Sequence, residues 1–398
     1  MVAGGAVNGR RLPVLWLCGP AGVGKSTVAW QLFTELALAG AHLAFVDTDQ
    51  LGMCCPALPG DREGVRVKAR NLGVMIPNYQ AAGARCVIVN GVVDPVTGPR
   101  PDLLPVASVI SCRLRASADE VVCRFTARDG QPDADLVREV RIEAAQMDRS
   151  TFADACVDTT GVPAGEVARL VRTACASWPG FARTMAEPAS RVRPTGRRDG
   201  GAADADGQVM VICGPAGVGK STIGFQFYLE CLNAGLAAGY VDLDQIGFIR
   251  PAPGSRAGRH VLKARNLAAI WQNCRAAGAT HLIATGPIED NEAARIYARE
   301  LPAATITLCR LRAGPGELEQ RIMSRGSGGS WPQPGDPLRG QPAEVLRQAA
   351  ARAVGEAAAL DRASLDTVTI DTDGRAPDHA ARLIGQAASW PGPDHGQR

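Results

Sequence analysis

Of the 43 basic residues in this sequence only four are lysines, at positions 25, 68, 220 and 263, and arginine holds every other basic position. Lysine therefore has a reason to be where it is. Lys25 and Lys220 each complete the pattern Gly-x-x-x-x-Gly-Lys-Ser, at Gly19–Ser26 and Gly214–Ser221. In that spacing the glycines let successive backbone amides wrap phosphate oxygens at a helix N-terminus, and the lysine reaches the β- and γ-phosphates as a compact point charge. The expected nucleotide contacts are Gly19, Ala21, Gly22, Val23, Gly24, Lys25, Ser26 and Thr27 in one loop. In the other they are Gly214, Ala216, Gly217, Val218, Gly219, Lys220, Ser221 and Thr222. The two serine hydroxyls, Ser26 and Ser221, suit Mg²⁺, so the expected cofactors are ATP and Mg²⁺.

Acids follow in a second pattern, Asp47-x-Asp49 and Asp242-x-Asp244. Many ATPases and GTPases place an aspartate at the tip of a further hydrophobic strand, but here the corresponding runs end in Asn90-Gly91 and Thr285-Gly286. Two carboxylates one residue apart can divide labour. One would stand near Mg²⁺ and the other would take a proton from an incoming hydroxyl; the other reading is a pair of acids capping the next helix. Lys68 and Lys263 read as contacts to an acidic substrate or a phosphate, or else as solvated charges. Arg124/Arg128 and Arg321/Arg325 are pairs four apart on one helix face, leading into Gly130 and Gly326. Arg128 and Arg325, nearest the following loop, would close on the transferring phosphoryl group; surface pairing with Asp119, Glu120 or Glu317 is the alternative.

The elements that position these residues occur twice. At an offset of 195, Cys18–Thr27 recurs letter for letter as Cys213–Thr222, and Lys68-Ala-Arg70-Asn71-Leu72 matches Lys263-Ala-Arg265-Asn266-Leu267. Each half closes with Glu-Ala-Ala-x-x-Asp-Arg (143–149 and 356–362) and Asp-Thr-x-Gly (158–161 and 371–374). The expected organisation is copy one over 1–180, a flexible linker over 181–207 rich in Ala, Gly, Asp, Arg and Pro, and copy two over 208–398. Within a copy, apolar β-branched runs at 12–17, 43–46, 86–89, 106–113 and 155–158 alternate with helical stretches through 38, over 65–82 and over 118–128. Alternation with short turns predicts an α/β fold: two tandem phosphate-loop domains, each a parallel sheet covered by helices on both faces. The second copy carries a longer Gly/Ser/Pro stretch after Arg325, as a mobile flap would.

Taken together, the Asp-x-Asp-Gln after strand two, the turn Ile283-Ala-Thr-Gly286, the Arg-x-x-x-Arg helix and the terminal Asp-Thr strand resemble the small-molecule kinases of the shikimate and gluconate type. The resemblance covers most of each half. It implies that the first aspartate serves the metal and the second binds the acceptor hydroxyl. It implies further that Arg70 and Arg265 grip an anionic group, and that Gly91 and Gly286 form the acceptor-side turn. The turn has one glycine where shikimate kinases have three in a row, so the acceptor is left open as a small, anionic molecule.

Composition agrees with this and excludes other classes. With 43 basic and 40 acidic residues the net charge is +3, which offers no basic surface for nucleic acid. No apolar run reaches the ~20 residues of a membrane span. Residues 12–18, after Arg10 and Arg11, resemble a signal segment but run straight into the first phosphate loop, so a cytoplasmic protein is expected. The twelve cysteines show no Cys-x-x-Cys spacing and read as small buried thiols. Both copies keep every motif, which predicts two active sites in a covalent pseudo-dimer acting on a small-molecule substrate. A nucleotide kinase and an ATP-driven regulatory switch are the alternatives.

Overall fold

The structure is a computed structural model, which describes residues 11–61, 64–129, 134–182, 207–328, 336–363, 365 and 367–390. Most of the predicted linker and much of the predicted flap lie outside these residues.

The first half forms β1 (Leu12–Cys18), α1 (Lys25–Leu38), β2 (Leu43–Asp47), α2 (Val65–Ala81), β3 (Cys86–Asn90), β4 (Ala107–Arg115), α3 (Ala118–Asp129), α4 (Ala134–Asp148), β5 (Ala155–Asp158) and α5 (Ala164–Ala174). The second half forms β6 (Gln208–Cys213), α6 (Lys220–Asn233), β7 (Ala238–Asp242), β8 (Ile249–Arg250), α7 (Arg256–Ala276), β9 (His281–Thr285), α8 (Asn291–Glu300), β10 (Thr305–Arg312), α9 (Pro315–Gly326), α10 (Ala343–Ala363), β11 (Val368–Asp371) and α11 (Pro377–Ala387).

The chain divides into two compact units, and the division does not follow the two halves throughout. Unit one consists of residues 1–52, 61–195 and 248–253; unit two consists of 53–60, 196–247 and 254–398. In unit one the parallel strands run in the order β5-β4-β1-β3-β2 and β8 adds an antiparallel sixth strand; in unit two the order is β11-β10-β6-β9-β7. Strands β1, β2 and β3 are buried at every position, as are β7 and β9. Burial on both faces is why their sequences read as continuous apolar runs rather than alternations.

The edge strands β2 and β7 are each covered by residues that follow the other copy's Asp-x-Asp. In unit one, Ala44 and Leu43 of β2 pair with Ile249 and Arg250, and the Phe45 amide donates to the Phe248 carbonyl at 3.1 Å. Phe248 then joins the aromatic cluster of Trp30 and Phe45, with ring centroids 5.1 and 5.8 Å away. In unit two the Tyr240 amide donates to Met53 O (3.0 Å) and the Cys55 amide to Ala238 O (2.8 Å) on β7. An uncovered edge is a template for unwanted pairing, and the β2 and β7 edges are covered in this way.

The helices α2 and α7 start under different caps. The Asp61 carboxylate accepts from the Arg66 and Val67 amides (2.9 and 3.0 Å), which starts α2 at Val65. Ser255 Oγ accepts from the Gly258 amide at 3.0 Å and starts α7 a further turn back, nine residues before Arg265.

Candidate active site

Buried β1 delivers the chain into the first phosphate loop, and α1 begins at Lys25. Only glycine fits at Gly19: φ is +145°, and a Cβ there would lie 2.3 Å from the Leu114 carbonyl oxygen of β4. Gly214 repeats this at φ +144°, 2.6 Å from Leu311 O. Lys25 Nζ folds across its loop and donates to Gly19 O (2.8 Å) and Pro20 O (3.0 Å). Lys220 does the same to Gly214 O and Pro215 O, at 3.0 and 2.8 Å. Burial holds the Lys220 ammonium below its ordinary range, against the charges of Asp244, Glu356 and Asp242.

The first aspartate of each pair meets the loop serine. Ser26 Oγ donates to Asp47 Oδ2 at 3.2 Å and Ser221 Oγ to Asp242 Oδ2 at 2.7 Å. The second oxygen of each carboxylate accepts the amide two residues on, from Asp49 (3.0 Å) and Asp244 (2.9 Å). The acids therefore do cap the turn that follows them, and that same contact fixes the first carboxylate against the serine. A hydroxyl and a carboxylate at this separation form the hard oxygen donor set that suits Mg²⁺. Among the described residues no group of three or more His, Cys, Asp or Glu gathers to hold a metal, so such an ion would draw its other ligands from phosphate and water.

The second aspartate meets the repeat-matched lysine of its own unit. Lys68 Nζ donates to Asp49 Oδ1 at 3.1 Å and Lys263 Nζ to Asp244 Oδ1 at 2.6 Å. Gly52 and Gly247 make room for this: a Cβ on either would stand 2.7 Å from the lysine Cε. Asn71 and Asn266 donate to Leu51 O and Ile246 O, both at 2.7 Å, and so pin the turn that carries the aspartate. In unit one the Val92 amide also donates to Asp49 Oδ1 (3.1 Å). That reach depends on Gly91, whose φ is +146° and where a Cβ would overlap the Thr48 hydroxyl at 1.9 Å.

These surroundings drive the two acids of unit one apart. Burial and the Asp49 charge push Asp47 up to about 6, against the Asn90 side chain, the Asp49 amide and Lys25. Burial also acts to raise Asp49, but Lys68, Lys25 and the Val92 amide outweigh it and hold that carboxyl below the usual range. Asp244 is likewise held low, burial being outweighed by Lys263, Lys220 and Arg325.

The arginines separate into distinct places. Arg124 donates to Val23 O (3.4 Å), Thr159 Oγ1 (3.0 Å) and Thr159 O (2.8 Å), and Arg321 donates to Val218 O, Thr372 Oγ1 and Thr372 O at 3.0, 3.0 and 2.7 Å. Each ties the phosphate loop to the end of the last strand. Nothing in the pattern marked them above their partners four residues on; the matched Asp-Thr repeats were the available signal. Arg325 pairs with buried Asp336 at 2.7 Å, and its charge acts on Asp244. The Arg128 side chain lies outside the described residues. Arg265 stands 3.7 Å from Glu300 on α8 rather than at either aspartate, and among the described residues no hydrogen bond or ion pair joins Arg70 to the site. Asn90, whose Nδ2 donates to Ser26 Oγ at 2.9 Å, is a site residue that the sequence pattern registered only as the absence of an acid.

Fold and site together define a tandem pair of phosphate-loop α/β domains. No protein-family model matches the chain, and no curated protein matches it. Solved structures similar to it include a gluconokinase from Sinorhizobium meliloti (15% identity, 47% of this chain and 94% of that one, TM-score 0.31). Others are an APS kinase from Mycobacterium tuberculosis in complex with AMPPNP and APS (17%, 46% and 98%, TM-score 0.28) and a shikimate kinase from Acinetobacter baumannii in complex with shikimate (19%, 42% and 95%, TM-score 0.28). Each likeness spans less than half of this chain and nearly all of the other.

Proposed function

We propose that each unit is an ATP- and Mg²⁺-dependent phosphotransferase that moves the γ-phosphoryl group to a hydroxyl of a small, anionic metabolite. The observation that carries this is the placement of an ionised second aspartate, Asp49 or Asp244, two residues beyond the carboxylate that meets the phosphate-loop serine. Ser26 with Asp47, and Ser221 with Asp242, would hold Mg²⁺, which when bound neutralises charge on the transferring phosphate. Lys25 and Lys220, which bridge their own loops through carbonyl oxygens, would turn to the β- and γ-phosphates. Asp49 and Asp244 accept the hydrogen of the acceptor hydroxyl and aim its oxygen; a weakly basic carboxylate suffices where the transition state is loose and the nucleophile needs orientation more than deprotonation. Arg325, whose charge already acts on Asp244, is the candidate in unit two to steady the departing charge.

The acceptor sides of the units differ. His260 Nε2 lies 2.8 Å from Glu289 Oε2, and its Nδ1 lies 3.4 Å from the Tyr297 hydroxyl. At the same offset of 195, unit one has Val65 and Asp94, and Asp94 instead accepts the Val96 and Thr97 amides of its own turn. Two acceptors, or two affinities for one, are the expected consequence.

The test is ADP release from Mg-ATP, with and without pooled hydroxylated metabolites and nucleoside monophosphates. Lys25→Ala and Lys220→Ala are each expected to abolish the acceptor-stimulated release of one unit, and the double variant all of it. Stimulation by the monophosphates alone would make the protein a nucleotide kinase. Tight ATP binding without stimulation by any pool would instead mark a nucleotide-dependent switch.

A further inference from the structure

The third residue of each phosphate loop gives its amide to a carboxylate from far along the chain. The Ala21 N–H donates to Glu143 Oε2 at 3.2 Å, and the Ala216 N–H donates to Glu356 Oε2 at 2.9 Å. Glu143 lies on α4 and Glu356 on α10, and each opens the repeated Glu-Ala-Ala-x-x-Asp-Arg to which no other role falls. Five residues on, Asp148 pairs with Arg115 of β4 (3.3 Å) and Asp361 with Arg310 of β10 (2.7 Å). Each helix is thus fastened to the sheet by its aspartate and to the loop by its glutamate. The same arrangement arises in two units whose intervening segments differ in length, so it follows from the repeated motif and not from one local packing accident.

A carboxylate oxygen is a chemical stand-in for a phosphate oxygen, and an amide of an anion-binding loop serves either. It cannot serve both, because two anions on one N–H repel. In unit two the glutamate also contributes a negative charge at Lys220, the residue placed to meet phosphate. We infer that Glu143 and Glu356 are nucleotide-site residues: each holds the third loop amide until a nucleotide phosphate displaces it, and the displacement frees the loop end of α4 or α10. The helix thereby reports whether the loop is filled. This inference rests on the nucleotide-binding reading of the two loops.

Equilibrium binding of a fluorescent ADP and of Mg-free ATP to the full chain tests it, with hydrogen exchange followed over 134–148 and 343–363. The arms are the wild type, Glu143→Ala/Glu356→Ala and Glu143→Gln/Glu356→Gln. Removing a partly exposed competing charge is expected to tighten nucleotide binding about threefold in both double variants. Exchange in α4 and α10 is expected to rise when ADP is added to the wild type, and to be already raised in the alanine variant. Melting temperatures of the glutamine variant, which keeps the acceptor and loses only the charge, separate this from loss of folding. Unchanged or weaker binding in both variants, with nucleotide still bound by the wild type, overturns the inference and leaves the phosphotransferase reading intact. Binding to none of the three proteins overturns that reading and the inference with it.

Discussion

Asp47 and Asp49 are two positions apart, yet burial and a neighbouring anion raise one while Lys68 lowers the other. For Asp47 the folded-state pKa, about 6, lies above its ordinary value of 3.8. Its contribution to stability is therefore fully present below pH 4 and is lost as pH rises through 6. Asp47→Asn in Mg²⁺-free buffer should stabilise unit one at pH 7.5 by up to about 3 kcal/mol, read as a higher melting temperature, and should leave it unchanged below pH 4. A gain at pH 7.5 that persisted at pH 4 would mean that the cost of charging this buried acid is not its source. Asp49 runs the other way: its stabilising ion pair with Lys68 is present above the ordinary carboxylate range and fades as acid protonates it. Asp49→Asn and Asp244→Asn should cut acceptor-stimulated turnover by about 10²–10⁴-fold while nucleotide Kd stays within about twofold, checked by single-turnover kinetics beside direct binding.

Elements matter here through the two arginines that join them. Arg321 sits on α9, but its three bonds to Val218 O and Thr372 make the phosphate loop and the end of β11 move together. Arg321→Ala leaves partly buried carbonyls without their charged donor, at a cost of about 2 kcal/mol, and should lower the melting temperature of unit two by roughly 4–8 °C. Lysine should rescue little of this, because one ammonium cannot reproduce the planar fork that reaches Val218 and Thr372 at once. Full rescue by lysine, followed by calorimetry and by nucleotide Kd, would point to charge alone as the requirement.

For the whole molecule, the decisive feature is that each unit takes its edge cover from the other half of the sequence. A chain ended at residue 207 keeps β1 to β5 but loses Phe248–Pro253, which covers β2 and supplies Phe248 to the aromatic cluster. That half, expressed alone, should self-associate through β2 and melt lower than unit one does in the intact chain. Size-exclusion chromatography at several concentrations, repeated after mixing with residues 208–398, measures it. A monomeric half with an unchanged melting temperature would show that the added strand contributes little.

Much of this was written in the sequence because local rules set it. The phosphate loops follow from glycine spacing, the strands from apolar runs of strand length, and the tandem repeat from letter-for-letter recurrence. The aspartate pairs, too, sat at the end of β2 and β7 as their spacing implied, because a motif's internal geometry is carried by adjacent residues. What sequence separation hides is partnership. That Lys68 answers Asp49, that Arg124 holds the loop, and that Glu143 reaches Ala21 across 122 positions are consequences of which strand ends the parallel sheet brings side by side. The exchange of residues 53–60 and 248–253 between units is of the same kind: hydrogen-bonding groups of an edge strand are satisfied by whatever backbone folding delivers to them, and no local pattern of residues specifies its source.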